Sequence, residues 1–344
     1  MSNILFVTRT MGLGGTEKVI LELCNSFRSK FNKIVVCSCG GENVEYLKSI
    51  QVEHVEIPDI ATKNIFSLLK AKKIIKKTLK KYNIDVIHTH HRMAAFLCKS
   101  FKNVKLINNM HNTFEDKYFF TRLALHKYVN IAVGKIVYEN LTEYYKISKN
   151  KVVLIENSIN NKFDYKLITD FQNNKNENCF TFVFVGRLEE QKGIDILISA
   201  FNKIDKKCKL YIFGDGSLKS YVEAHVNDKI IYKGYTNNPL NVISQCDCVI
   251  LPSRWEGLPL LIIEAMAMSK PVICSDIKNN IELVEDKITG YVFKNEDIED
   301  LSCKIINFIN SNNKDEISNN ALNCYLNKYS YSIFIEKYME IYGV

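Results

Sequence analysis

Two glutamates, Glu256 and Glu264, stand eight residues apart in the segment SRWEGLPLLIIEAMA (253–267). From Pro259 to Met268 Glu264 is the only ionisable side chain, and a stretch apolar on every side reads as a buried helix. A carboxylate there is costly unless it is paired or hydrogen-bonded. Glu264 is therefore salt-bridged to a buried Lys or Arg, snorkelling to the surface, or an acceptor for a ligand diol, such as that of a ribose. Glu256 lies in the preceding loop. The segment after it, Gly257, Leu258, Pro259 and Leu260, opens the helix, with Pro259 suited to the first turn. N–H groups at such a helix start point at an anion.

Cations stand at another strand end. In FVFVGRLEEQKG the strand closes at Gly186, and Arg187 and Lys192 bracket a short loop before a helix. Two cations at a strand's carboxyl end make a diphosphate clamp, although ordinary charges on a solvated loop give the same pattern. Near the start, ILFVTRTMGLGGTEK runs from a strand through Gly12, Gly14 and Gly15 into a helix. Glycines there serve either close approach to a phosphate or a tight turn. In FGDGSLK, Asp215 and Gly216 read as turn residues and Ser217 as a candidate N-cap. Tyr235, in YKGYTNN, follows a further strand whose end lines the same region. Histidines 88, 90, 91 and 111 gather near strand ends, where most read as satisfied turn residues. His111 directly follows an apolar strand and would face a ligand. No DxD motif flanked by hydrophobic residues occurs, which argues against a metal-bridged diphosphate. The eleven cysteines include no CxxC pair, so they read as reduced thiols rather than zinc ligands.

The elements that must position these residues alternate. ILFVT, KIVVCSC, DVIHTH and KLINNMH are strand-like, with helical patterns between them; FTFVFVG, KLYIFG, KIIYKG, CDCVILP and PVICS form a second series. Alternation of this kind marks parallel sheets with crossover helices. At 344 residues two Rossmann-like domains are the simplest account, residues 1–160 and 161–324. An Asn-rich linker lies near 170–178. A polar final helix, roughly 320–342, would pack back on the first domain over about 325–344.

Charge is uneven. The chain carries +8 overall, but residues 1–160 hold 25 Lys and Arg against 13 Asp and Glu, a net of +12, leaving −4 for the rest. The first half thus faces something anionic. SLLKAKKIIKKTLKKY (67–82) has seven lysines, with Leu68, Leu69, Ile75, Leu79 and Tyr82 at near-helical spacing. It reads as an interfacial helix on an anionic membrane or as a crossover helix with a solvated lysine face. Nucleic acid is disfavoured, because no binding motif accompanies the charge. No apolar run approaches the roughly 18 uncharged residues that a spanning helix needs. The opening ILFV is too short for a secretory signal, so the expected location is the cytoplasm, peripheral on the inner face of the cell membrane.

Taken together, GLGGTEK, the strand-end His111, IENSIN (155–160), GRLEEQKG, IFGDGSLK and WEGLPLLIIEAMAMSKPVI resemble glycosyltransferase family 4, the retaining enzymes of the GT-B fold. The resemblance covers nearly the whole chain, and its most specific motif is the Glu256-to-Glu264 spacing. IENSIN departs from the commoner Asn-Gly-Ile-Asp form. The resemblance implies an α/β architecture of two Rossmann-like domains facing across a cleft, the first binding acceptor and the second the nucleotide sugar. It implies that Arg187 and Lys192 stabilise a leaving diphosphate without metal or other cofactor. Gly186, Tyr235 and residues 257–260 would line the donor site, Glu256 would hold the sugar and Glu264 the ribose. Gly14 and Gly15 would close over the diphosphate, and His111 would approach the sugar. The implied reaction moves a sugar, from a UDP-sugar by preference, to a lipid-linked saccharide in surface polysaccharide or O-antigen synthesis. A sugar-nucleotide 2-epimerase of the same fold and a non-catalytic nucleotide-sugar-binding subunit are the alternatives.

Overall fold

Runs of β-branched and aromatic residues become the inner strands, because a parallel strand covered on both faces has no polar side. In the computed structural model, which describes residues 2–160 and 179–344, the chain divides into two compact units. One comprises residues 1–157 with 334–344, the other residues 158–333. The Asn-rich stretch 170–178 lies outside the described residues.

The first unit is built on a seven-stranded sheet. Its strands are β1 (Asn3–Val7), β2 (Lys33–Ser38), β3 (Glu53–Glu56), β4 (Val86–Thr89), β5 (Lys105–Met110), β6 (Val129–Ala132) and β7 (Val152–Leu154). All pair in parallel, in the order β3-β2-β1-β4-β5-β6-β7. The order reverses between β1 and β4, and crevices at such a reversal are where open α/β sheets bind ligands. Ile4, Leu5, Phe6 and Val7 of β1 are wholly buried at the centre.

The second unit repeats the plan with six parallel strands: β8 (Phe180–Val185), β9 (Cys208–Phe213), β10 (Ile230–Gly234), β11 (Cys248–Leu251), β12 (Val272–Ser275) and β13 (Gly290–Phe293). Their order is β10-β9-β8-β11-β12-β13, so the reversal falls between β8 and β11. Phe182, Phe184, Phe201, Phe293 and Phe308 fill its core.

Several local expectations are corrected. The final helix is not continuous over 320–342: helix Lys314–Cys324 runs into a π turn, Tyr325–Tyr329, and Ser330 adopts extended backbone before helix Tyr331–Tyr342 begins. Phe334, Tyr338 and Tyr342 bury themselves in the first unit, where Tyr342 meets Phe27 edge-on at 5.0 Å. Ser217 is not an N-cap. Helix Lys219–Ala224 starts after Leu218, and the Ser217 hydroxyl donates instead to Glu189 at 2.6 Å. Pro259 caps helix Leu260–Ala267 in extended conformation rather than occupying its first turn.

The lysine-rich segment forms helix Ile65–Lys81, capped by the Asn64 side chain. Ile75 is core, and Leu68, Leu79 and Tyr82 pack against the same cluster, so most of the apolar stripe serves the sheet. Leu69 is the exception. It is exposed, together with Ile65 and Phe66 in the helix's first turns.

Candidate active site

In the second unit the reversal point gathers charge. Lys192 ends a 3-10 turn (Glu190–Lys192) in the loop after β8, and Glu256 lies in the loop after β11. Their side chains meet: Lys192 Nζ donates to Glu256 Oε1 at 2.5 Å, and the buried Ser253 hydroxyl donates to the same oxygen at 2.6 Å. The pair is largely withdrawn from water, with side-chain exposures of 18% and 7%. Charge-assisted bonds of this kind are among the stronger polar contacts in proteins.

The two loops are tied by backbone and by one arginine. Gly193 sits at φ 65°, and any side chain there would collide with the Pro252 carbonyl, so only glycine lets the loops press together. Arg254 donates to both Asp195 oxygens at 2.9 and 2.7 Å, to the Glu190 carbonyl at 2.7 Å and to Glu296 at 2.9 Å. Its hydrogen bond to Asp195 holds the guanidinium pKa above the usual arginine range. Gln191 completes the link, accepting from Arg187 at 3.0 Å and donating to the Trp255 carbonyl at 2.9 Å. Arg187 is itself exposed, beside Gly186 at the end of β8.

Helix Leu260–Ala267 begins with no side-chain cap; Ile262 N–H donates to the Pro259 carbonyl at 3.1 Å, which leaves the first-turn N–H groups of Leu260 and Leu261 for an anion. Leu258 and Leu261 through Ala267 are buried, and Glu264 is 5% exposed among them. Tyr235 stands apart. It follows the edge strand β10, it is 55% exposed, and no hydrogen bond or ion pair joins it to the Lys192–Glu256 cluster among the described residues.

In the first unit the strand ends collect neutral rings instead. His90 Nδ1 lies 2.9 Å from His111 Nε2, and the two imidazoles stack with 5.2 Å between centroids. His88 lies against His90 at 4.4 Å. Its Nδ1 bonds Tyr342 Oη and its Nε2 bonds Asn109 Oδ1, both at 2.8 Å, while Asn109 Nδ2 donates to Tyr338 Oη at 2.6 Å. Burial drives all of these imidazoles toward the neutral form: His88 to about 3, His91 and His111 to about 4, His90 well below the usual value. His90, His91 and His111 line a cavity of about 300 Å³, together with Arg92, Phe114 and Lys117. Arg92 lies 3.7 Å over the Phe114 ring and donates to Asp116 at 2.6 Å, which holds that carboxyl below its usual range.

Gly14 caps helix Gly15–Phe27 without a side-chain bond. A carboxylate already lies against it: a side chain on Gly14 would collide with Glu17, which accepts from Thr10 Oγ1 at 2.6 Å. Among the described residues no group of three or more His, Cys, Asp or Glu side chains is placed to hold a metal ion. All eleven cysteines are free thiols. Three features are not legible in any single motif: the pairing of Lys192 with Glu256, the Arg254 latch and the His90–His111 bond. Each joins segments that are distant in sequence, and only the strand order could have brought them together.

Two parallel sheets, each carrying functional groups at its strand carboxyl ends, define the GT-B class of glycosyltransferases. The chain belongs to glycosyltransferase family 4: residues 13–163 match the description Glycosyltransferase Family 4, and residues 166–323 match Glycosyl transferases group 1. It is 29% identical to an uncharacterized glycosyltransferase of Methanocaldococcus jannaschii, over 72% of each chain. It is 24% identical to the UDP-Gal:alpha-D-GlcNAc-diphosphoundecaprenol alpha-1,3-galactosyltransferase of Escherichia coli, over 96% of this chain and 94% of that one. Among solved structures, Anabaena HepE in complex with UDP superimposes with a TM-score of 0.84 at 18% identity, covering 100% of both chains.

The buried histidines make stability depend on pH. An unfolded His88 binds a proton near pH 6.5, but the folded one resists it down to about 3. The unfolded chain therefore holds more protons throughout that window, and stability falls as pH falls from 6.5. We expect His88→Gln to flatten the fall by up to one proton's worth, about 1.4 kcal/mol per pH unit. Melting temperatures of wild type and variant across pH 7 to 4 give the slopes, and equal slopes would mean that His88 is not held neutral.

Proposed function

We propose that this glycosyltransferase moves a sugar from a UDP-sugar to a lipid-linked saccharide, with retention at the transferred carbon, in the assembly of a surface polysaccharide such as O-antigen. The observation that carries the proposal is the buried Lys192–Glu256 pair beside an uncapped helix start at the sheet's reversal point. An arriving diphosphate competes with Glu256 for Lys192, and Glu256 keeps the Ser253 hydroxyl while turning to the sugar's own hydroxyls. Lys192 and Arg187 then stabilise charge on the leaving diphosphate, and the N–H groups of Gly257, Leu258 and Leu260 hold its distal phosphate. Fixed cations and dipoles of this kind lower the barrier because they need no reorganisation as charge develops. With the diphosphate met this way, the reaction needs no metal.

In this reading the second unit binds the donor, Gly186 and Tyr235 lining the site and Glu264 accepting from the ribose. The first unit binds the acceptor. Within it, His111 is directed at the reacting sugar, and the Gly14–Gly15 turn is open to a phosphate once Glu17 moves aside. The E. coli relative supports the lipid-linked acceptor, since its name specifies a UDP-sugar and a diphosphoundecaprenol-linked substrate. The basic helix Ile65–Lys81 would hold the enzyme on anionic lipid at the inner face of the membrane, with Ile65, Phe66 and Leu69 as its exposed apolar residues. Among the described residues no helix is long and apolar enough to cross a membrane.

Incubating the protein with UDP-sugars and a diphosphate-linked lipid saccharide tests the reading by mass spectrometry. The expected product is an acceptor heavier by one sugar; conversion of the donor to its epimer without acceptor would replace the reading with the epimerase one. Lys192→Ala and Arg187→Ala should each lower turnover by about 10²-fold or more. Near-normal turnover in both would overturn the clamp. Serine in place of several lysines in 67–82 should weaken binding to anionic liposomes, measured by co-sedimentation. Undiminished binding would leave that helix as crossover scaffold.

A further inference from the structure

The pair of imidazoles in the first unit is over-determined on one side and open on the other. His88 is held by two hydrogen bonds, so its ring forms a fixed wall behind His90. His90 makes one hydrogen bond, Nδ1 to His111 Nε2 at 2.9 Å, and its own Nε2 is buried with no partner. Phe6 and His88 crowd that ring at 5.8 and 4.4 Å between centroids. A neutral imidazole carries one N–H, and two such rings sharing a hydrogen bond admit only two arrangements. If His111 donated, His90 would carry its proton on Nε2, as a buried N–H with nothing to receive it. Buried N–H groups are almost never left without an acceptor. In the other arrangement His90 Nδ1–H donates and only a bare lone pair is buried. His111 must then carry its proton on Nδ1. Among the described residues no protein group bonds His111 Nδ1, and the residue lines the cavity.

We infer that His90 is a positioning residue: by donating to His111 Nε2 it fixes His111 as the Nδ1–H tautomer and so presents a neutral hydrogen-bond donor to an oxygen of the bound sugar or acceptor. The inference rests on the assignment of His111 to the reacting sugar made above. Burial keeps both rings uncharged, so the contact is a directed N–H dipole rather than a cation. His90 itself needs no contact with substrate.

The tautomer is read directly in the intact wild-type protein. Long-range proton–nitrogen correlation spectra of a sample labelled at its seven histidines report which ring nitrogen carries hydrogen. We expect His111 as a single Nδ1–H form; an Nε2–H form, or a rapid mixture of the two, would overturn the inference. Kinetics supply the second arm. His90→Phe keeps the ring stack and removes the donor, and should lower kcat about 10-fold or more, as loss of a partner that orients an imidazole does, with the donor KM unchanged. His90→Asn, whose amide reaches the place of Nδ1, should restore most of the loss. His111→Ala separates the two claims. If it retains full activity, the role of His111 falls and this inference with it. If it is inactive while His90→Phe turns over like wild type, the inference alone is overturned. Should His90→Phe fail to fold, the wild-type spectrum decides.

Discussion

A lysine and a glutamate buried together are tolerated only when further hydrogen bonds satisfy them, because withdrawing two charges from water costs several kcal/mol each. The Lys192–Glu256 pair meets that condition through Ser253, and the loops around it are shaped to keep it so. Gly193 lets one loop press on the carbonyl of Pro252, Arg254 staples the loops through Asp195 and the Glu190 carbonyl, and Gln191 bridges to Trp255. Strand order supplies the rest. β8 and β11 are neighbours across the sheet's reversal, so residues 64 positions apart come within hydrogen-bond reach. A paired lysine of this kind is preorganised: it is fixed in place before an anion arrives, and its partner retains another hydrogen bond when the pair opens.

The first unit solves a different problem with different chemistry. Its strand ends carry imidazoles held neutral by burial, arranged so that each hydrogen bond constrains the next. Tyr342 and Tyr338 come from the last helix of the chain, after the excursion through the second unit, and they fix His88 and Asn109. The C-terminal residues are thus part of the polar core behind the cavity.

Much of this was legible in the sequence, and the exceptions share a cause. Inner strands such as ILFV and FVFV announce themselves because both faces are buried. The strands EHVE, VNIA, VVL and GYVF went unread, being short and, in the case of EHVE at the sheet edge, partly polar. Glu256, Lys192 and His111 were recognised singly at strand ends. Their pairings were not: Lys192 with Glu256 and His90 with His111 depend on which strands lie side by side, while Ser253 reaches Glu256 through a bend of three residues within one loop. Arg254 was invisible for the same reason: its carboxylate, Asp195, lies 59 residues away. The stripe on the lysine-rich helix shows the converse limit, since periodicity alone does not say whether an apolar face meets a sheet or a lipid.

In the proposed donor site Lys192 holds a nucleoside diphosphate without a metal ion. Calorimetric titration of UDP into the wild-type protein and into Lys192→Met, both in EDTA, tests it most directly. Saturable binding by the wild type is expected, with an affinity weaker by about tenfold or more in the variant, the worth of one charge-assisted hydrogen bond. Binding that appears only with a divalent cation, or equal affinity in the two proteins, would contradict it.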